Sequence, residues 1–206
     1  MIIAIEGASA CGKTTWCRSH FPRQSVLQPV DTIAAPDLFA DPALVAEFWV
    51  NHNIASWQRA VALEREHGIA FCDTDPFHLY YSWALWKAGV LDGRLFAIER
   101  SLYRQALAQR RIGLADHVLW REVPDDELRR RAQADTTRRR KRHEIYLALV
   151  PGMKLWFRER ERVLPGSVHA LTNDLRVEQL PDRRGARYTG AACLLSSSTL
   201  QRDGFS

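Results

Sequence analysis

Residues 1–16 read MIIAIEGASACGKTTW, and this stretch decides the fold. Ile2 to Ile5 form a short β-rich run bounded by glycine, and Lys13 to His20 support a helix that Pro22 stops. Between them Gly7-Ala8-Ser9-Ala10-Cys11-Gly12-Lys13-Thr14 matches G-x-x-x-x-G-K-[ST], in the strand–loop–helix context that the motif requires. In such a loop successive backbone N–H groups and the helix N-terminus surround a β-phosphate. The lysine reaches the β- and γ-phosphates, and the hydroxyl after it ligates Mg²⁺. These eight residues and Thr15 are the expected nucleotide-binding set, with Lys13 also catalytic and Thr14 a metal ligand.

Outward from this stretch, strand and helix patterns alternate. Ser25 to Asp31 (SVLQPVD) reads as a second short strand running into a polar loop that holds Pro36, Asp37 and Asp41. A long helix is predicted from Pro42 to about His67, with Asp41 as N-cap and Gly68 as stop. Ile69 to Cys72 is an apolar run of buried-strand type, and two helices follow near 76–88 and 92–110. His117 to Val123 and Ser167 to Leu171 are the fourth and fifth strands. The helices between them span Pro124 to Gln133 and Arg138 to about Val163, the second interrupted near Pro151. The pattern predicts an α/β three-layer sandwich with a mainly parallel five-stranded sheet, whose ligands sit beyond the carboxyl ends of the strands. One domain is expected over 1–175, followed by an irregular C-terminal extension over 176–206.

Composition narrows the classes of function. A chain of 206 residues with 46% hydrophobic content buries one sizeable core. Four scattered cysteines without a C-x-x-C pair suggest neither a disulfide framework nor a zinc site. Residues 1 to 6 are too few for the apolar core of a signal peptide, and no run approaches the roughly 18 residues of a membrane span. The expectation is a cytoplasmic protein without a membrane partner. Of 29 basic residues, five stand in RRRKR (Arg138 to Arg142), leaving 24 against 24 acidic ones. The basicity is local, which speaks against a nucleic-acid partner and for a bound polyphosphate.

A transferred phosphoryl group needs an acid near Mg²⁺ and another near the acceptor hydroxyl. Asp73, at the end of the third strand, is the metal candidate; Asp75 is an alternative, or a helix cap ahead of Pro76. Asp31, at the end of the second strand, is placed to accept a hydroxyl proton as general base, or to make an Asx-turn; Asp37 and Asp41 are weaker rivals. The segment from Arg129 to Arg142 holds eight Arg or Lys, suiting a lid at about 134–143 that closes arginines over a triphosphate. Arg138, Arg139 and Arg142 are the candidates within it, and a solvated helix face or a localisation patch is the alternative. Acceptor recognition is sought in Trp49, Asn51, His52, Asn53, Trp57, Gln58 and Arg59, and in Phe77, His78, Tyr80 and Tyr81; each is as readily core or surface.

Taken together, GASACGKT, PVD, DTDP and the late arginine run resemble the P-loop kinases of the nucleoside and nucleotide kinase branch over about residues 1–175. FCDTDP looks most like the strand end of nicotinamide riboside kinase-type domains, and TRRRKRHE with the helix after it resembles small bacterial kinases described as ATPases. By that resemblance Asp31 matches the hydroxyl-activating acid, Lys13 and Thr14 the phosphate and magnesium contacts, Asp73 the second magnesium-side acid, and the run from Arg138 the lid. The chain has Asp-Thr-Asp where thymidylate and deoxynucleoside kinases have Asp-Arg-[Ser/Tyr], which argues against those substrates. The expected activity is ATP- and Mg²⁺-dependent transfer of the γ-phosphoryl group to a small-molecule hydroxyl, on a nucleoside-like or other polar metabolite such as an antibiotic. The alternative is a P-loop NTPase or nucleotide switch that binds RNA or a protein, and an oligomer is compatible with either.

Overall fold

The computed structural model describes residues 1–27, 34–135, 143–172 and 174–201. Strand β1 (Ile2–Gly7) is buried throughout and lies at the centre of the sheet. The glycine loop leads from it into α1 (Lys13–His20). The long helix α2 (Pro42–His67) begins where the Asp41 carboxylate accepts the Ala43 N–H at 3.0 Å, with Pro42 in its first turn. It ends at Gly68, whose φ of 75° is the left-handed stop that glycine tolerates. Then come β2 (Ala70–Asp73), α3 (Tyr80–Lys87), α4 (Arg94–Ala108), β3 (His117–Arg121), α5 (Asp125–Ala134), α6 (His143–Ala148), α7 (Val150–Val163) and β4 (Val168–Ala170). The helical stretch is interrupted near Pro151 as the sequence suggests: α6 ends at Ala148, Leu149 intervenes, and Pro151 stands in the first turn of α7, where its missing N–H costs nothing.

The strands pair in parallel in the order β2-β1-β3-β4. Four strands, not the five expected, form the sheet among the described residues. In the predicted second strand, Arg23–Ser25 makes a 3₁₀ turn, Val26 forms a single parallel bridge to Phe71, and the Leu27 N–H donates to the Phe71 carbonyl at 2.8 Å. Only these two described residues reach the outer edge of β2; residues 28–33 lie outside the described ones.

Alternation along β1 separates two cores, one on each face of the sheet. Ile2 and Ala4 join Trp57, Trp83, Trp156 and Leu194 on one side; Ile3 and Ile5 join Trp16, Phe71 and Leu119 on the other. Each isoleucine fully buried in this way contributes about 1.5–3 kcal/mol.

The segment beyond residue 175 is not irregular as the sequence suggested. It carries α8 (Thr189–Ser196), whose Ala191, Leu194 and Leu195 are buried in the larger core at i, i+3, i+4 spacing. Ahead of that helix Arg187 bonds Asp116 at 2.8 Å and Glu64 at 2.7 Å and 2.8 Å, tying the segment to α2 and to the entry of β3. Burial alone would raise the Glu64 carboxyl; the hydrogen bonds from Arg187, the N-terminal amine and Arg184 bring it down to about 2. Among the described residues no helix is long and apolar enough to cross a membrane.

Candidate active site

The glycine loop sits between the carboxyl ends of three strands. Gly7 has a φ of 147°, Ala10 71° and Gly12 90°, so the loop turns through conformations that side chains resist, and it delivers Lys13 as the first residue of α1. Gly7 is also crowded: a Cβ there would stand 2.5 Å from the Arg121 carbonyl oxygen of β3. Gly7→Ala is therefore expected to lower stability by about 1–3 kcal/mol through backbone strain and to weaken ATP binding with it, read by thermal melting and nucleotide titration. The Lys13 ammonium donates to the Gly7 carbonyl at 2.8 Å and lies within 3.4 Å of the Ala8 carbonyl.

Register places opposite charges on the two sides of this loop. Ile5 of β1 faces Asp73 of β2, and Gly7 faces Arg121 of β3, so a carboxylate and a guanidinium emerge beside the loop from neighbouring strands. The Thr14 hydroxyl donates to the Asp73 carboxylate. Between Asp73 and Asp75, Thr74 holds a φ of 115°, an outlier for a β-branched residue and the kind of strain that collects at functional sites. Asp73 and Thr14 offer hard oxygen donors that fit Mg²⁺, which takes one or two carboxylates and leaves the rest of its shell to water and phosphate. Consistent with so sparse a donor set, the described residues contain no group of three or more His, Cys, Asp or Glu placed to hold a metal.

Asp75 has a different role from either one expected. It is 2% exposed, α3 does not begin until Tyr80, and its carboxylate accepts from Arg160 of α7 at 2.8 Å and from the Phe77 N–H at 2.9 Å. It therefore closes a turn and anchors a buried cation, and it caps no helix. Burial pushes its carboxyl up and the Arg160 guanidinium down, and their mutual attraction opposes both shifts.

Glu6, which sequence reasoning passed over, accepts the Asp75 N–H at 2.6 Å and the Tyr80 hydroxyl at 2.7 Å. Burial pushes its carboxyl up to about 7 against the pull of Lys13. Its signal in the sequence is an acid inside an otherwise apolar strand, immediately before the glycine loop.

These residues line a cleft of about 1410 Å³ that continues from the loop into a second half walled by α2, α3 and α4. Trp49, His52 and Asn53 of α2 line it, with His78, Tyr80 and Tyr81. Of the other acceptor candidates, Trp57 and Phe77 are core residues, 2% and 1% exposed, and Asn51 and Gln58 face solvent. Burial, with the nearby charges of Lys13 and His52, lowers His78 to about 3, so its imidazole is neutral. Glu99 of α4 also lines the cleft, accepting from the Ser82 hydroxyl. Burial pushes it up to about 8.

Of the basic segment, Arg131 is described and was not singled out beforehand. It lines the cleft, donates to the Cys11 carbonyl at 3.2 Å, and is held by Glu127 at 2.6 Å, so α5 is latched onto the glycine loop. Arg121 lines the same cleft. Its place at the carboxyl end of a parallel strand is the cue that could have found it. Asp31, Arg138, Arg139 and Arg142 lie outside the described residues.

Fold and cleft together can be set against known structures. In fold the chain is similar to deoxyadenosine kinase. The structure of that enzyme from M. mycoides with bound dATP matches at a TM-score of 0.57 and 12% identity, covering 87% of this chain and 94% of that one. The same enzyme with dCMP and a flexible dCDP bound matches at 0.58 and 15%, with the same coverage. With bound dCTP it matches at 0.55 and 12%. No protein-family model matches the sequence, and no curated protein matches it. At such identities the likeness extends to the fold alone, an α/β fold with a parallel sheet.

Proposed function

We propose that the protein is an ATP- and Mg²⁺-dependent kinase that transfers the γ-phosphoryl group to a hydroxyl of a nucleoside-like or other polar metabolite. The observation that carries this is a two-part cleft: a P-loop flanked by Asp73, Thr14, Arg121 and Arg131 opens into a second, aromatic-lined half large enough for an acceptor. A nucleotide switch has no need of that second half. The fold neighbours support the reading, since the M. mycoides structures hold dATP, or dCMP with dCDP, in deoxyadenosine kinase. Asp-Thr-Asp in place of Asp-Arg-[Ser/Tyr] leaves the acceptor open to compounds other than deoxynucleosides, an antibiotic among them.

In this reading Gly7 to Thr15 cradle the phosphates with backbone N–H groups. Lys13 leaves the Gly7 carbonyl to reach the β- and γ-phosphates. Arg121 and Arg131, which both line the cleft, bear on the negative charge of the transferred group. Thr14 and Asp73 would hold Mg²⁺, which would supply charge neutralisation of the phosphates when bound. Asp31 is the general base. Of the described residues on either side of its segment, Leu27 and Pro36 line the cleft. The run containing Arg138 and Arg142 is the lid, between the cleft-lining Asp135 and Tyr146.

Asp31→Asn tests the division of labour. Expected is a loss of phosphoryl transfer of roughly 10²–10⁴-fold, the range for a general base, with ATP affinity unchanged. Undiminished turnover in this variant would remove Asp31 from the mechanism, and acceptor-independent hydrolysis would favour the switch.

A further inference from the structure

Among the described buried acids, Glu99 has neither an ion pair nor a cation acting on it. Asp75 is paired with Arg160, Asp116 and Glu64 with Arg187, and Glu159 with Arg162. Glu6 receives two donors and lies in the field of Lys13. Glu99 is 6% exposed and faces the cleft, yet its single hydrogen bond comes from the neutral hydroxyl of Ser82. Among the described residues no guanidinium or ammonium is paired with it. Burying an unmatched carboxyl is costly, and folding does not call for one at a cleft wall.

Its neighbours extend the pattern. Tyr103 is four residues on along α4, on the same face, and feels the charge of Glu99. The Tyr103 hydroxyl accepts from the amide nitrogen of Asn53 at 2.8 Å, which fixes the amide of a second residue that lines the cleft. Glu99 of α4 and Asn53 of α2 thus both line this half of the cleft, and a carboxyl group and an amide are the polar groups they bring to it. Trp49 and Tyr81 add aromatic rings to its walls, surfaces that also favour a cation or a planar ring.

We propose that Glu99, with Asn53 beside it, is the specificity site of the acceptor half and that it takes an amino group, either an aliphatic ammonium or the amino edge of a heterocycle. The ligand's being a phosphoryl acceptor rests on the kinase reading; its amino group rests on Glu99 alone. An ammonium beside Glu99 supplies the missing countercharge and converts the neutral acid, raised by burial, to carboxylate with release of a proton.

Matched probes test this on the full chain by titration calorimetry: glucosamine against glucose, cytidine against uridine, and adenosine against inosine. Expected is a preference for the amino member of roughly 10–100-fold in at least one pair, the range for hydrogen bonds to a charged group. A preference in the sugar pair, with proton release seen as a buffer-dependent heat, identifies an aliphatic ammonium; a preference in a nucleoside pair identifies the heterocycle. Glu99→Gln should abolish proton release and reduce the preference while ATP affinity and melting temperature hold. If that variant does not fold, Glu99→Asp, which draws the carboxyl back by one methylene, should weaken the preference.

Equal affinities or no binding in all three pairs would overturn the proposal, as would a preference that survives in the variant. ADP formation with the same probes separates this from the kinase reading. Amino preference without ADP formation leaves Glu99 standing and counts against the kinase reading for these compounds, and ADP formation without preference supports the kinase and overturns the role of Glu99.

Discussion

Lys13→Ala is expected to reduce acceptor-dependent ADP formation by roughly 10²–10³-fold, the usual loss when one preorganised donor to a developing charge is removed. The lysine is the first residue of α1, and its ammonium lies 2.8 Å from the Gly7 carbonyl, at the strand end where the loop closes. Removing it forfeits the part-buried bond to the Gly7 carbonyl and the longer one to Ala8, about 1 kcal/mol in all, so the protein should fold and melt nearly as before. Lys13→Arg should not restore activity, because a bulky planar fork does not replace a compact ammonium beside a tight phosphate-binding loop. Turnover by Lys13→Ala at the wild-type rate would contradict the assignment, and loss of folding would show the lysine to be structural.

Asp75→Ala should be the most damaging single change to stability, at about 3–5 kcal/mol, because it strands a buried cation. Arg160 is 1% exposed and its partners are Asp75, the Ala115 carbonyl and the Ser167 hydroxyl, so no solvent takes over the charge. The Phe77 N–H loses its acceptor in the same step. For a domain of this size the melting temperature should fall by roughly 10 °C. Replacing the pair by apolar residues of similar volume, Asp75→Leu with Arg160→Met, should recover much of the loss, since the cost lies in the unpaired charge. A melting temperature unchanged in Asp75→Ala would mean that Arg160 finds other anions, Asp116 and Glu6 being the candidates whose charges already act on it.

The contrast between these two residues shows what the sequence made legible. Lys13 is readable because its function is written in eight contiguous residues, and the strand and helix around them follow from local pattern. The bounds of α2 were readable for the same reason: Asp41 caps it and Gly68 stops it within hydrogen-bonding distance along the chain. Asp75 was not, because its partner lies 85 residues away on α7, and no local rule joins the two. Arg187 with Glu64 and Asp116 is a second long-range tie of that kind, and it explains why the segment after residue 175 looked irregular while in fact it carries a core helix. There the apolar spacing of Ala191, Leu194 and Leu195 was the available signal, hidden by the Ser, Gly and Arg around it. In the cleft, Trp49, His52 and Asn53 were recognised as a group but not separable from Trp57, since one helix turn decides between cleft and core. Glu6 and Glu99 were missed because their meaning comes from burial, which a single carboxylate in a sequence does not announce.

The central claim is that the two halves of the cleft act together, with ATP on the P-loop and a hydroxyl compound against α2, α3 and α4. The most direct test is ADP formation by the purified protein with Mg²⁺, without acceptor and then across nucleosides, amino sugars and hydroxylated antibiotics, with Lys13→Ala as the blank. The account predicts ADP only when a particular acceptor is present, together with a product heavier by one phosphoryl group. ADP formed at the same rate without any acceptor would contradict it.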